Sequence, residues 1–382
     1  MPQKHVLLAF GTRPEVIKLA SLAHTLRAWP TPVRVTLCAT GQHREMLDSA
    51  LAAFDLKADI DLKVMTAGQH PTELLARLLT GLKNTFDETK PDVVVVQGDT
   101  ATVMAAALAG FFARIPVAHV EAGLRTADKF APFPEEVNRR VTGVVADYHF
   151  APTATARDAL IREGTPAASV MVTGNSVIDA LRWMSDRVAD RPLPDALRGM
   201  RGRMVLITAH RRESFGEPFR DFCNALRDVA TRFPDVHLVY PVHLNPNVQK
   251  PVFEILGGLP GVHLIDPLPY DSFVSLLRRA DIILTDSGGI QEEAPSLGKP
   301  TLVLREKTER PEALATGVVK LVGTNRQRIV DEISRLLTDP AAYQSMARVV
   351  NVYGDGLASR RIAEVLVDGQ RRTPEFVPDT IA

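Results

Sequence analysis

Cysteine is nearly missing from this chain: Cys38 and Cys223 are the only two in 382 residues. One falls on a predicted strand and one on a predicted helix. Both therefore read as small buried hydrophobes in a reducing cytoplasm, not as a disulfide or a thiolate metal site. An excess of charge is missing too. Lys plus Arg and Asp plus Glu each total 45, so no global field draws the chain to nucleic acid or a membrane surface, and any anion site must be local. No apolar run approaches the roughly 18 residues that span a bilayer. The chain leads directly into the apolar run His5–Phe10, without the charged region and cleavage site of a signal peptide. The histidines show no H-E-x-x-H spacing and have no Cys partners, so no metal is expected. The absence of a G-x-G-x-x-G turn removes support for a nicotinamide or flavin, and no cofactor is expected.

What the chain has is rhythm. Strands are predicted at 5–10, 33–39, 92–97, 116–120, 147–151, 169–173, 203–209, 236–241, 262–265, 281–286, 300–304 and 318–322. Helical patterns fill most of the gaps, at 14–28, 43–54, 72–88, 100–112, 134–146, 153–163, 217–232, 270–279, 288–297 and 326–338. Most strand runs are Val, Ile and Leu without polar alternation, as when both faces of a parallel sheet are covered. So many strands suit two sheets better than one. The expected fold class is α/β, with two doubly wound, Rossmann-like parallel-sheet domains. The boundary is placed after Gly174-Asn175, ahead of the helix Val177–Val188 and the Pro-rich stretch 190–194. That gives domains 1–175 and 176–382, the last helix (about 359–369) packing back on the first.

Open α/β sheets bind ligands at the carboxyl ends of their strands, and the candidate residues cluster there. After the run Asp281–Thr285 comes Asp286-Ser287-Gly288-Gly289-Ile290-Gln291-Glu292-Glu293. Glycines let a ligand approach the backbone, and the N–H groups of a helix start attract phosphate. Glu293, a turn further in, is placed to meet a ribose diol. A plain tight turn would use the same glycines. Gly11-Thr12-Arg13-Pro14-Glu15 follows the first strand and sets Arg13 and Lys18 at the same kind of edge, with Pro14 suited to a helix start. Thr308-Glu309-Arg310-Pro311 repeats that pattern late in the chain, where Arg310 is suited to a diphosphate.

An acidic group lies in the middle of the first domain. Gln97-Gly98-Asp99-Thr100 and His119-Val120-Glu121-Ala122-Gly123 end consecutive strands, and Pro134-Glu135-Glu136-Val137-Asn138-Arg139 opens a helix. Carboxylates crowded at one sheet edge favour a raised pKa and general acid–base work. Helix capping by Asp99 and a helix-start preference of Glu135 and Glu136 are the competing explanation. In the second domain His210, flanked by Arg211, and His243 stand at strand ends, where an imidazole meets a phosphate or a developing negative charge.

The motifs GTRPEVIK, GQHREML, QGDT, HVEAGLRT, PFPEEVNRR, TGNSVIDAL, AHRRESFG, YPVHLNPNV, TDSGGIQEEAPSLGKP and TERPEA occur in this order over nearly the whole chain. In them the chain resembles the non-hydrolysing UDP-N-acetylglucosamine 2-epimerases, a family whose two domains face a cleft in a GT-B-like architecture. The resemblance implies inversion at sugar carbon 2, from UDP-N-acetylglucosamine to UDP-N-acetylmannosamine, by elimination and re-addition of UDP for cell-surface polysaccharide precursors. It implies Asp99, Glu121 and Glu135 as catalytic acids, His210 beside the leaving diphosphate, and Arg139 shaping the ring site. It implies UDP contacts at Arg13, Lys18, Ser287, Gly288, Gly289, Glu293 and Arg310, with Phe273 beside the uracil. Gln42, His43, Arg44, Glu136, Arg211 and His243 fall in segments resembling a second, regulatory substrate pocket, although Met65–Thr72 departs from the family's Arg-Gln-Thr-Leu pattern there. A cytoplasmic homodimer is the family expectation. Alternatives are a 2-epimerase of a UDP-2,3-diacetamido-uronic acid, a UDP-sugar glycosyltransferase, or a non-catalytic UDP-sugar sensor.

Overall fold

The computed structural model describes residues 3–379 apart from 42, 43, 67, 127 and 309, and of residues 44–46 it describes the backbone alone. The chain divides into two compact units, Met1–Trp183 with Tyr353–Pro378, and Met184–Val352 with Asp379–Ala382. Each unit is built on one sheet in which every strand pair is parallel.

The first sheet holds β1 (Lys4–Phe10), β2 (Val33–Ala39), β3 (Ile60–Asp61), β4 (Val93–Gln97), β5 (Val117–Val120), β6 (Tyr148–Ala151) and β7 (Val170–Val172), in the order β3-β2-β1-β4-β5-β6-β7. Its central strands carry apolar side chains to both faces. Leu7 and Ala9 pack with Leu78, Leu82, Phe86 and Val103, while Phe10 lies with Val16, Leu19 and Leu37. This explains the unbroken valine run at 93–96: both faces are covered, so no polar residue alternates in. The order reverses between β1 and β4, which opens a crevice beyond their carboxyl ends.

The second sheet holds β8 (Arg203–Thr208), β9 (Val236–Pro241), β10 (Val262–Ile265), β11 (Ile282–Thr285), β12 (Thr301–Val303) and β13 (Val319–Leu321), in the order β10-β9-β8-β11-β12-β13. Its reversal falls between β8 and β11. Val205, Ile207, Phe219, Phe222, Tyr240 and Ile333 belong to its main core. The buried Tyr240 hydroxyl donates to the Ala209 carbonyl at 2.5 Å, which holds the β8 exit in place.

The chain returns to the first unit at Tyr353, where the helix Ala358–Ala363 packs on the helix Arg13–Arg27. Ser359 Oγ and Ser21 Oγ lie 2.9 Å apart. Asp179, itself buried, accepts from the Ser359 N–H at 2.7 Å and the Ala358 N–H at 3.3 Å. Burial pushes its carboxyl up from 3.8 to about 6, against the pull of those donors. The folded state therefore prefers the protonated form. Its contribution to stability is full below pH 3.8 and is lost as pH rises through about 6. This displacement corresponds to about 3 kcal/mol. Urea unfolding of the wild type and Asp179→Asn at pH 4 and pH 7 should show the stability difference moving towards the variant by about that amount. A difference independent of pH would contradict it.

Candidate active site

At the reversal between β1 and β4 lies a pocket of ≈ 370 Å³. Thr12, Glu15 and Lys18 line it from the turn after β1 and the helix that follows, Asp99 and Thr100 from the turn after β4, Glu121 from the end of β5, and Arg139 from the helix Glu135–Val145. Residues more than a hundred positions apart meet because parallel strands deliver all their carboxyl ends to one edge.

Two of the expected acids are brought together here, each held by a cation. Asp99 Oδ2 lies 2.6 Å from an Arg139 guanidinium nitrogen, and its side chain remains partly open. Glu121 is buried, with Oε2 2.6 Å from Lys18 Nζ and also accepting from the Gln97 amide. Its backbone sits at φ +64, a left-handed conformation that costs a non-glycine residue about 1 kcal/mol or more and collects at functional sites. Next to it, His119 donates from Nε2 to the Gly98 carbonyl at 2.7 Å. Burial pushes that imidazole down to about 3, so it is a neutral brace for the Gly98 turn and no proton donor near neutrality.

Lys18 was expected at a UDP contact; in this unit its ammonium lies against Glu121. Arg13 is half-buried at the same helix start but does not line the pocket. Glu135 opens its helix half-buried and is likewise absent from the lining. Glu136, one residue on, is fully buried. It accepts from Arg140 Nε at 2.8 Å and the Thr126 N–H at 3.1 Å, with Arg139 at 3.5 Å. These contacts make it a brace for Arg139. Gln42 and His43 lie outside the described residues, as does the side chain of Arg44.

Sequence reading passed over Glu15, Gln97 and His119. Glu15 was the nearest to detection: a Glu three residues after Thr12 signals a capping box, and that box is present. Burial raises the pKa of its carboxyl, opposed by hydrogen bonds from Thr100, Gly11 and Thr12.

The second unit gathers its candidates at the reversal between β8 and β11. Asp286 Oδ2 accepts from the His210 and Arg211 N–H groups, both at 2.7 Å. Its Oδ1 is buried without a hydrogen-bond partner, 3.7 Å from His210 Nδ1. The His210 and His243 rings stack at 5.1 Å, and burial with the neighbouring imidazole holds His243 below its ordinary value. The Arg211 guanidinium lies 3.8 Å from Glu213. After β11, Ser287 stands at the N-terminal end of the helix Gly288–Ser296 without a side-chain cap bond. A Cβ on Gly288 would come within 2.7 Å of the Arg310 guanidinium, so the missing side chain makes room for that cation. Arg310 Nε donates to Glu292 at 2.8 Å. Glu293 is buried and accepts from the Tyr270 hydroxyl at 2.6 Å, so one of the oxygens expected at a ribose already has a protein donor. Phe273 is half-buried on the helix Tyr270–Arg279.

The family model described as UDP-N-acetylglucosamine 2-epimerase matches residues 27–367. The sequence is 54% identical over 372 residues to a UDP-N-acetylglucosamine 2-epimerase of Yersinia pestis, covering 96% of this chain and 99% of that one. It is similar in structure to the Neisseria meningitidis UDP-GlcNAc 2-epimerase bound to UDP-GlcNAc, with a TM-score of 0.88 and 45% identity over 95% of this chain and 100% of that one. The Methanocaldococcus jannaschii UDP-GlcNAc 2-epimerase in complex with UDP-GlcNAc and UDP gives a TM-score of 0.79 and 31% identity, with 96% and 100% covered.

Proposed function

The chain belongs to the UDP-N-acetylglucosamine 2-epimerase family, and from that premise we propose that it interconverts UDP-N-acetylglucosamine and UDP-N-acetylmannosamine by eliminating and re-adding UDP. The observation that carries this reading is the pocket in which Asp99 and Glu121 are both held by cations at one sheet edge.

The chemistry explains why such a pocket is useful. The proton on carbon 2 is poorly acidic, because no carbonyl adjoins that carbon. Breaking the bond from carbon 1 to the diphosphate oxygen sends its electron pair to UDP and leaves positive charge on the anomeric carbon. The carbon 2 proton then passes to a carboxylate, and its bonding pair becomes the double bond of a 2-acetamidoglucal. Return of a proton to the opposite face, with UDP re-adding at carbon 1, gives the epimer. Carboxylates stabilise the positive stage, and proton transfer on two faces suits two of them, Asp99 and Glu121. Arg139 and Lys18 keep those acids oriented.

In the second unit, His210, the Ser287-Gly288-Gly289 helix start and Arg310 supply what a diphosphate needs: an imidazole, backbone N–H groups and a guanidinium. The same family resemblance extends the proposal to a cytoplasmic homodimer that supplies a cell-surface polysaccharide precursor.

Incubation with UDP-N-acetylglucosamine in deuterium oxide tests the reading. The expected products are both epimers, carrying deuterium at carbon 2. Failure to exchange this sugar, with exchange into a UDP-diacetamido-uronic acid, would move the substrate to that class. Inversion without deuterium uptake would exclude delivery of the returning proton by a second acid in exchange with solvent.

A further inference from the structure

We infer that Glu15 is a positioning residue for the proposed reaction, locking the turn that carries Asp99 to the turn that follows β1. The inference rests on the reading of Asp99 as an acid of the epimerase site.

A capping box is ordinarily a local device. One carboxylate oxygen at the third helical position satisfies the cap residue's N–H, and the bond works well in contact with solvent. Glu15 does that and more. Its Oε2 accepts from the Gly11 N–H at 2.8 Å, the Thr12 N–H at 2.6 Å and the Thr12 hydroxyl at 2.9 Å. Its Oε1 accepts from the Thr100 hydroxyl at 2.5 Å, a residue 85 positions later in the sequence. Thr100 is the cap of the next strand's helix, Ala101–Phe112, and follows Asp99 directly. The side chain is 2% exposed, and among the described residues no ion pair joins it to a cation.

Burying a carboxylate with hydrogen bonds but no ion pair costs free energy. A cap alone would not require that burial. What the buried position adds is reach: one group fixes two strand-end turns at the sheet's reversal. The turns in question are the one that opens the helix carrying Lys18 and the one that carries Asp99, both lining the pocket. On the far side the Gly98 carbonyl is held by His119, and the Asp99 carbonyl accepts from the Asn138 amide at 2.9 Å. Asp99 is therefore flanked by fixed backbone, and Glu15 ties the turn that follows it to the turn after β1. Errors of about an ångström in the placement of a reacting group cost rate more than affinity.

The test separates the tie from the cap. Thr100→Val removes only the hydroxyl that bridges to Glu15 and its long 3.4 Å cap contact with Val103, leaving the bonds to Gly11 and Thr12. We expect kcat to fall about tenfold with KM for UDP-N-acetylglucosamine within about twofold, and carbon 2 deuterium exchange to fall in step. Thr100→Ser, which restores the hydroxyl, should recover most of the loss. Glu15→Gln should fall further, by about a hundredfold, because one of its two ends becomes an NH2 group that cannot accept from the donors it faces. Equal kcat in wild type and Thr100→Val would overturn the inference and leave the epimerase reading standing. So would a loss that Thr100→Ser does not repair. No turnover in the wild type would sink both together.

Discussion

Glu121→Gln should lower turnover by about a thousandfold, within the range for removing a positioned general acid or base. The change keeps the shape of the side chain and leaves an amide oxygen that can still accept from Gln97 or Lys18. What it removes is the capacity to take or hold a proton and the charge facing the positive stage of the reaction. Glutamine meets the same backbone condition at φ +64, so the substitution adds no new strain there. It does take an anion from beside the Lys18 ammonium, whose side chain is only 14% exposed. Parting a buried pair is destabilising, so the variant should unfold at lower temperature. Circular dichroism and UDP binding by calorimetry keep that effect apart from catalysis. The expected result is a folded protein that binds UDP near the wild-type affinity and exchanges deuterium at carbon 2 about a thousandfold more slowly. Turnover within tenfold of wild type would show that the proton chemistry lies elsewhere.

The parallel sheets were legible because burial on both faces writes itself into sequence as unalternating apolar runs, as at Val93–Val96. Two kinds of element escaped. β3 is two residues long, Ile60-Asp61, too short for any periodicity to register. The helix Pro246–Leu256 contains Pro251 in its interior, where proline costs about 3 kcal/mol and reads as a breaker. Val248, Val252 and Leu256 nevertheless lie buried on one face of it, and burying each such side chain returns about 1.5–3 kcal/mol. Tertiary packing outweighed local preference.

The site shows a similar division. Residues adjoining strand ends, such as Asp99, Glu121, His210 and Ser287, could be singled out because topology alone sends each to the carboxyl edge of its own sheet. What sequence did not reveal is which groups support them. Glu15 and Gln97 act through hydrogen bonds to residues distant in sequence. Glu136, which the family resemblance put in a regulatory segment, has its charge against backbone and arginines of the first unit. Only the folded chain specifies such pairings.

Gly288→Ala should weaken UDP binding about as much as Arg310→Ala does, through the same guanidinium. Gly288 has ordinary helical backbone, so conformational freedom is not the reason for glycine there. Space is: a Cβ would stand 2.7 Å from Cζ and Nη1 of Arg310 and 2.8 Å from Nη2. An alanine methyl must drive that cation away from the helix start and strain its bond to Glu292. If Arg310 holds the diphosphate as proposed, Arg310→Ala removes a charge-assisted hydrogen bond to it, at a cost of about 1.5–3 kcal/mol in binding, or roughly 10- to 150-fold in Kd. If the two residues act through one contact, their effects cannot add. With Arg310 already truncated, the guanidinium that the alanine at 288 would displace is gone, and the double variant should bind UDP within about threefold of Arg310→Ala alone. Calorimetry on the four proteins of the cycle decides it. Full additivity would mean that the glycine instead admits the ligand to the backbone N–H groups, with the phosphate seated on the helix start and the guanidinium standing apart from it.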